Sequence, residues 1–272
     1  MEITEINLNK SIPQLSIVII SWKMKSLLQT CLKSIYSFTK EINYEIILID
    51  NNSEDGTVEM IENEFPQIRL IKNPENRGVA PARNQGMEIA AGKYILILDA
   101  DVELVENSIL KLFEYMESNS ECGIVGSKLV STNRQLQYSC KRFPTLLAFL
   151  FRRLEHIEFI NNSQTLRFHT MKDWDHKEIK EVDYLIGACQ FIRSEVIKKI
   201  GMYDDKIFYG PEDIDFCLRT WRAGWKVVYF PQTEIIHHEQ RITKKNIFSK
   251  VSLKHFLGIL YLYKKYKFNI NK

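Results

Sequence analysis

The chain is poor in everything that would make it a disulfide scaffold, a membrane protein or an array of repeats. Its five cysteines, Cys31, Cys122, Cys140, Cys189 and Cys217, are scattered, odd in number and without a Cys-x-x-Cys pair. That pattern argues against a disulfide framework and a structural zinc site and for a reducing compartment. No stretch approaches the roughly 20 apolar residues of a membrane span. The segment Met1 to Gln14 is broken by Glu2, Glu5 and Lys10, so it lacks the apolar centre of a signal peptide. No repeat, low-complexity tract or flexible linker divides the 272 residues, and one continuous architecture with a sizeable core is expected. Glycine is missing from Trp22 to Gln29, directly after the first strand-like run. A sugar-phosphate nucleotidylyltransferase would need a glycine-rich phosphate loop there.

Acid is missing from one end. From Arg241 to Lys272 there are nine Lys or Arg and no Asp or Glu, so of the net charge of +3 the first 240 residues hold −6. The tail adds apolar and aromatic area in Phe256 to Tyr263, followed by Lys264, Lys265 and Lys267. Two readings fit: peripheral contact with an anionic membrane surface, or a C-terminal helix packed on the body with a solvated basic face. The acidic body and the lack of a recognition motif argue against nucleic acid.

What is present is an alternation of strand and helix. Leu15 to Ser21 is a β-branched run, and Leu27, Leu28, Cys31, Leu32, Ile35 and Phe38 then recur at helical spacing. Tyr44 to Ile49 reads as strand, Thr57 to Glu64 as helix and Ile68 to Ile71 as strand. The stretch from Val79 to Ala91 reads as helix, stopped by Gly92, and Tyr94 to Leu98 as strand. Four alternations in about a hundred residues imply an α/β fold with a mostly parallel central sheet flanked by helices. In such sheets ligands gather at the carboxyl ends of the strands. Helix 107–118 and strand 122–126 follow. Residues 131–181 are irregular and rich in Phe, Arg and His, with a short amphipathic helix at Leu146 to Arg153. Later come Val182 to Ile192, a helix Ser194 to Ile200 capped by its serine, a helix opened by Pro211 and ended by Gly224, and the strand-like runs Lys226 to Phe230 and Ile235 to Glu239.

Chemistry concentrates where these elements end. Asp99-Ala100-Asp101 closes an apolar strand with two carboxylates, which share a face if the chain stays extended through Ala100. Two hard oxygen donors suit a divalent cation that holds a diphosphate. Alone, such a motif is more often a solvated acidic turn. Asp50-Asn51-Asn52 ends a second strand in the same manner. Glu212 and Asp213 open a helix whose dipole favours ionised carboxylates, and a partly shielded carboxylate there can act as a general base. Adjacent helical positions diverge by about 100°, so one of the two is expected to reach a reacting atom. A histidine after Ile235-Ile236 can complete an aspartate-based cation site. Alternation sends His237 and His238 to opposite faces, so one ligand at most is expected.

Taken together these segments resemble glycosyltransferase family two, inverting enzymes of the GT-A fold, and in particular its rhamnosyltransferase-like bacterial branch. The resemblance runs from about Leu15 to His238. It rests on Ser16 to Ser21, Ile49 to Gly56, Asn76 to Gly86, Asp99 to Asp101, Gly187-Ala188-Cys189 and Glu212 to Arg219, in that order and spacing. It implies a GT-A domain over 1–240, with a nucleotide-sugar half at about 15–127 and an acceptor half at about 128–240, and a basic amphipathic C-terminal tail at 241–272.

The resemblance also implies roles. Ser21, Asp50, Asn51, Arg77, Gly78, Arg83 and Asp99 would line the nucleotide-sugar pocket. Asp101, with Asp99 and His237, would meet a Mg²⁺ or Mn²⁺ ion. Asp213 would be the base and Glu212 its orienting partner or an acceptor contact. The implied reaction transfers a sugar from a UDP- or dTDP-sugar, dTDP-rhamnose included, to a hydroxyl of a bacterial surface glycan or its lipid-linked precursor. The implied place is the cytoplasm or the inner face of the cytoplasmic membrane. A catalytically silent nucleotide-sugar binding protein or partner subunit is the alternative. Two departures stand out: Trp22-Lys23 replaces the usual Tyr-Asn after the first strand, and no glycine-rich run follows His238.

Overall fold

A computed structural model describes residues 12–155, 157–240, 250–267 and 269–270. The first half runs β1 (Leu15–Ser21), α1 (Lys25–Phe38), β2 (Tyr44–Asp50), α2 (Thr57–Glu64), β3 (Arg69–Lys72), α3 (Val79–Ile89), β4 (Tyr94–Asp99), β5 (Val102–Leu104), α4 (Ser108–Ser118) and β6 (Cys122–Val130). The irregular region resolves into β7 (Leu136–Gln137), β8 (Cys140–Lys141), α5 (Leu146–Arg153), α6 (Glu158–Asn161), α7 (Gln164–His169) and β9 (Lys180–Glu181). Then come β10 (Tyr184–Leu185), β11 (Cys189–Arg193), α8 (Ser194–Ile200), α9 (Glu212–Arg222), β12 (Lys226–His237) and α10 (Lys250–Lys265).

The main sheet has the order β3-β2-β1-β4-β11-β6-β12-β5, with β7 on β6 and β9 on β12. β1 lies parallel to both neighbours, Ile19 standing opposite Leu48 of β2 and Leu98 of β4. These strands are continuous apolar runs because both of their faces are covered. Ile17 and Ile19 point into one core with Leu28, Cys31, Leu32 and Ile35 of α1, while Val18, Ile47 and Ile49 point into the other with Ala80 and Ala82 of α3. The α1 residues sit at i, i+3, i+4 and i+7, the stripe that one helical face presents.

Beyond β4 the sheet turns mixed. β11 runs antiparallel to β4 and β6, β12 parallel to β6, and β5 antiparallel to β12 with Val102 opposite His237. That last pairing carries His237 back to the carboxyl end of β4. A separate two-stranded sheet sets Lys141 of β8 opposite Tyr184 of β10.

Several boundaries differ from expectation. β12 is one strand where two runs were expected. Its register against β6 shifts between Phe230 and Glu234, around Pro231, which has no N–H to give to the ladder. β6 continues to Val130 because β12 and β7 pair with its far end. Ser194 is not the cap of its helix: Arg193 holds that position without a side-chain capping bond, its guanidinium bound to the Cys122, Met116 and Asn119 carbonyls. Pro211 is the cap residue, and α9 starts at Glu212.

The described part of the tail is a packed helix. Ile259, Leu262 and Tyr263 of α10 join the core that contains Phe216 and Leu218 of α9. Lys265 Nζ and Tyr266 Oη donate to Asp215 Oδ1 at 2.6 and 2.7 Å, and Lys265 also reaches Asp204 at 2.7 Å. Residues 241–249, 268 and 271–272 of the predicted tail lie outside the described residues. No described helix is long and apolar enough to cross a membrane.

Burial also fixes a protonation state. His169 donates Nδ1–H to Arg142 O at 2.8 Å, and its buried Nε2 has no partner among the described residues. Burial first, then Lys141 and Arg152, pushes its pKa down to about 3. Below pH 6.5 the unfolded chain therefore binds a proton that the native chain refuses, and stability falls on acidification. The slope approaches about 1.4 kcal/mol per pH unit from this group. Urea midpoints measured from pH 7 to 4.5 should fall more steeply for the native sequence than for His169→Gln; parallel curves would contradict this.

Candidate active site

The acidic motif at the end of β4 is not extended. The strand stops at Asp99, and Ala100 and Asp101 form a turn. The two carboxylates nevertheless converge: one ligand atom each from Asp99, Asp101 and His237 lie within 4.8 Å of one another. The turn after Asp99 and the β12–β5 pairing bring about what simple alternation was expected to do.

His237 is held by a residue that sequence reasoning missed. Gln137 of β7 accepts His237 Nδ1–H at 2.8 Å and donates Nε2–H to His237 O at 2.9 Å. The ring is thereby fixed with Nε2 toward Asp101, 3.4 Å from Oδ1. Burial acts to lower the His237 pKa, but Asp101 outweighs it and the pKa is raised. A hydrogen bond that sets tautomer and ring direction is what a metal-ligating histidine requires. Gln137 carries no motif and lies in a two-residue strand, so only the β6–β7 register discloses it. His238 turns away to Glu103, 3.0 Å from its Nε2, which leaves one histidine facing the aspartates.

Arg83 of α3 ties the two acidic motifs together. Its Nη2 donates to Asp99 Oδ1 at 2.8 Å and to Gly187 O at 2.9 Å, and its Nη1 donates to Glu212 Oε1 at 3.0 Å. The guanidinium also lies over the Tyr203 ring, 5.6 Å from the centroid. A Cβ on Gly187 would sit 2.4 Å from Nη1, so only glycine admits this bridge. Arg83 is 3 % exposed, and a buried cation between two carboxylates stays charged.

At the ends of β1 and β2, Ser21 and Asp50 are register partners, and Ser21 Oγ and Asp50 Oδ1 are buried without a hydrogen-bond partner among the described residues. Unpaired buried polar atoms are rare, and a pair of them at a strand edge fits a polar ligand. Asn51 is different. Its amide is taken up by Asn76, Gly78 O, Asn73 and the Arg77 N–H, which fastens the 73–78 loop. Gly78 has φ +92°, and a Cβ there would meet Phe208 O at 2.5 Å. Arg77 is exposed.

The Glu212-Asp213 pair is divided by its surroundings. Glu212 is buried against Arg83, and burial raises its pKa to about 7 despite that cation; its Oε2 has no partner among the described residues. Asp213 is half-buried. Its Oδ1 accepts from the N–H of Ile214 at 2.8 Å, and no side chain among the described residues binds it. Burial raises its pKa, against Lys141, Arg83 and Arg152. A carboxylate with a raised pKa and an open oxygen is equipped to take up a proton.

A mostly parallel sheet with unpaired polar groups and an Asp-Asp-His cluster at its strand ends defines an α/β protein of the GT-A fold. Known proteins agree. The family profile "Glycosyl transferase family 2" matches residues 16–201. The chain is 24 % identical over 237 residues to the N-acetylglucosaminyl-diphospho-decaprenol L-rhamnosyltransferase of Mycobacterium tuberculosis, covering 83 % of this chain and 76 % of that one. It is 27 % identical over 234 residues to the O-antigen biosynthesis protein RfbC of Myxococcus xanthus, covering 84 % of this chain and 17 % of that one.

Two solved structures share the fold. The mannosyltransferase PcManGT from Pyrobaculum calidifontis, in complex with GDP-Man and Mn²⁺, superposes with a TM-score of 0.58 at 18 % identity over 85 % of this chain and 59 % of that one. GalNAc-T7 with UDP, GalNAc and Mn²⁺ gives 0.63 at 18 % identity over 84 % of this chain and 44 % of that one. The chain belongs to glycosyl transferase family 2.

The Arg83 bridge predicts a large, partly reversible loss. Arg83→Met strands the buried Glu212 carboxylate and should lower unfolding free energy by about 3–5 kcal/mol in urea titration. Adding Glu212→Gln to Arg83→Met should recover part of that loss. Strictly additive losses would show that the two side chains are uncoupled.

Proposed function

We propose that this protein is an inverting glycosyltransferase that moves a sugar from a nucleoside-diphosphate donor, a UDP- or dTDP-sugar, to a hydroxyl of a bacterial surface glycan or its lipid-linked precursor. The observation that carries this reading is the division of Glu212 from Asp213: one carboxylate is paired to Arg83, while the other is left open. Asp213 takes the proton of the acceptor hydroxyl. The oxygen bonds to the anomeric carbon from the face opposite the nucleoside diphosphate, the bond from that carbon to the diphosphate oxygen breaks, and configuration inverts in one displacement. Glu212 and Arg83 position the base and, through Asp99, the donor edge.

Asp99, Asp101 and His237 form a donor set suited to Mg²⁺ or Mn²⁺, and Gln137 holds the imidazole in the ligating orientation. When bound, the cation offsets charge on the leaving diphosphate, worth several kcal/mol. Mn²⁺ in both solved GT-A relatives supports this assignment. Ser21 and Asp50 suit the nucleoside, residues 15–127 the donor half and residues 128–240 the acceptor half. Their place in the cell is the cytoplasm or the inner membrane face.

Asp213→Asn should retain donor affinity in equilibrium titration and lose about 10²–10⁴-fold in transfer rate. Full activity in that variant removes Asp213 as base, and a native chain that neither transfers nor hydrolyses any donor sugar favours the catalytically silent alternative. Gln137→Ala should weaken Mn²⁺ binding about 10–100-fold, read by calorimetry without donor. An unchanged affinity would leave Gln137 no part in the site.

A further inference from the structure

Lys141 is a buried lysine without an ion-pair partner among the described residues. It is 8 % exposed, and no acid among the described residues lies within ion-pair distance of its Nζ, which stands 5.9 Å from the Tyr184 ring centroid. β8 and β10 hold it there, opposite Tyr184. Its electrostatic neighbours are Arg152 at the end of α5 and the acids Asp213, Glu239 and Glu155. Burial, then Arg152, pushes its pKa down to about 7. Arg152 is itself only loosely held, 4.0 Å from Glu155. An ammonium removed from water without a partner is costly; loss of its proton removes that cost, and an anionic ligand offsets it with the proton kept.

A second feature adjoins this one. α5 and α10 pack through Phe149 on Tyr263, with ring centroids 5.6 Å apart, and through Arg153 over Phe256 at 4.9 Å. Their outer sides leave Leu147, Leu150, Leu253 and Leu257 about half exposed. An apolar surface beside a buried lysine and a half-buried arginine complements an amphiphile with an anionic head and an aliphatic chain.

We propose that Lys141 and Arg152 form an acceptor-side anion site that seats the diphosphate of a lipid-linked acceptor, whose chain leaves over the α5–α10 face. The proposal rests on the glycosyltransferase reading and deepens it. The acceptor sugar then lies between that diphosphate and Asp213, so the phosphates bind without taking part in the displacement.

The test is calorimetry on the full chain in EDTA without donor, so that the Asp99-Asp101-His237 cluster recruits no diphosphate through a cation. The probes are geranyl diphosphate, inorganic pyrophosphate and geraniol. Geranyl diphosphate should bind at least about tenfold more tightly than either fragment. Lys141→Met and Arg152→Gln should each weaken it about tenfold or more, and Lys141→Arg should restore it. Arg152 is on the surface, so its variant remains informative if Lys141→Met fails to fold. Native affinity in both charge-removing variants overturns the proposal. Pyrophosphate binding as tightly as geranyl diphosphate would mean a site for free diphosphate, and geraniol doing so an apolar surface alone; either result overturns it too. Binding is read without turnover, so failure here leaves the Asp213 test untouched, and failure there leaves this one valid.

Discussion

One buried guanidinium organises the molecule. Arg83 comes from α3, in the half of the sheet where strands run parallel, and its two carboxylate partners come from β4 and from the start of α9, which lies 129 residues further along the chain. Its charge can remain buried because three oxygens surround it, and those oxygens stay in place because Arg83 stays charged. The bridge thereby sets the distance between the cation-type cluster of Asp99, Asp101 and His237 and the open carboxylate of Asp213. Packing alone specifies such a distance loosely. A planar guanidinium that donates to both acids holds them at the span of its own fork.

Much of the fold is legible in the chain because β1, β2 and β4 are largely buried on both faces. Such strands appear as unbroken apolar runs, and the helices between them carry regular stripes. The acidic ends of β2 and β4 are conspicuous for the same reason, since neither strand needs them to pack. Legibility fails where structure depends on partners distant in sequence. Gln137 acquires its position from β6, and β12 is a single strand only because β6 pairs with it across the Pro231 irregularity. Asn51 carries a structural role that is equally hidden. Its place beside Asp50 suggests a ligand contact, yet its amide fastens the 73–78 loop, a task that no local pattern announces.

Charge distribution follows similar logic. The basic tail reads in the sequence as either a surface-seeking or a packed segment, and the described helix has both a packed side and an apolar outer side. Its lysines are not equivalent: Lys265 is consumed by Asp204 and Asp215, while Lys254 lies over the Phe208 ring. Composition counts these as identical positive charges, whereas geometry separates an anchor from a surface group.

The anchor has a consequence for how the chain is made. Asp215 is fully buried one helical turn beyond Glu212, and it relies on Arg219 and Lys265 for counter-charge and on Tyr266 for a hydrogen bond. During vectorial synthesis α9 leaves the ribosome about fifty residues ahead of two of those three partners. A nascent chain can therefore assemble its parallel strands early, but the helix that bears Asp213 keeps an under-compensated carboxylate until α10 arrives. Settling of α9 is thus deferred until α10 has been made, and a polypeptide stopped before α10 holds its parallel strands without a settled helix behind Asp213.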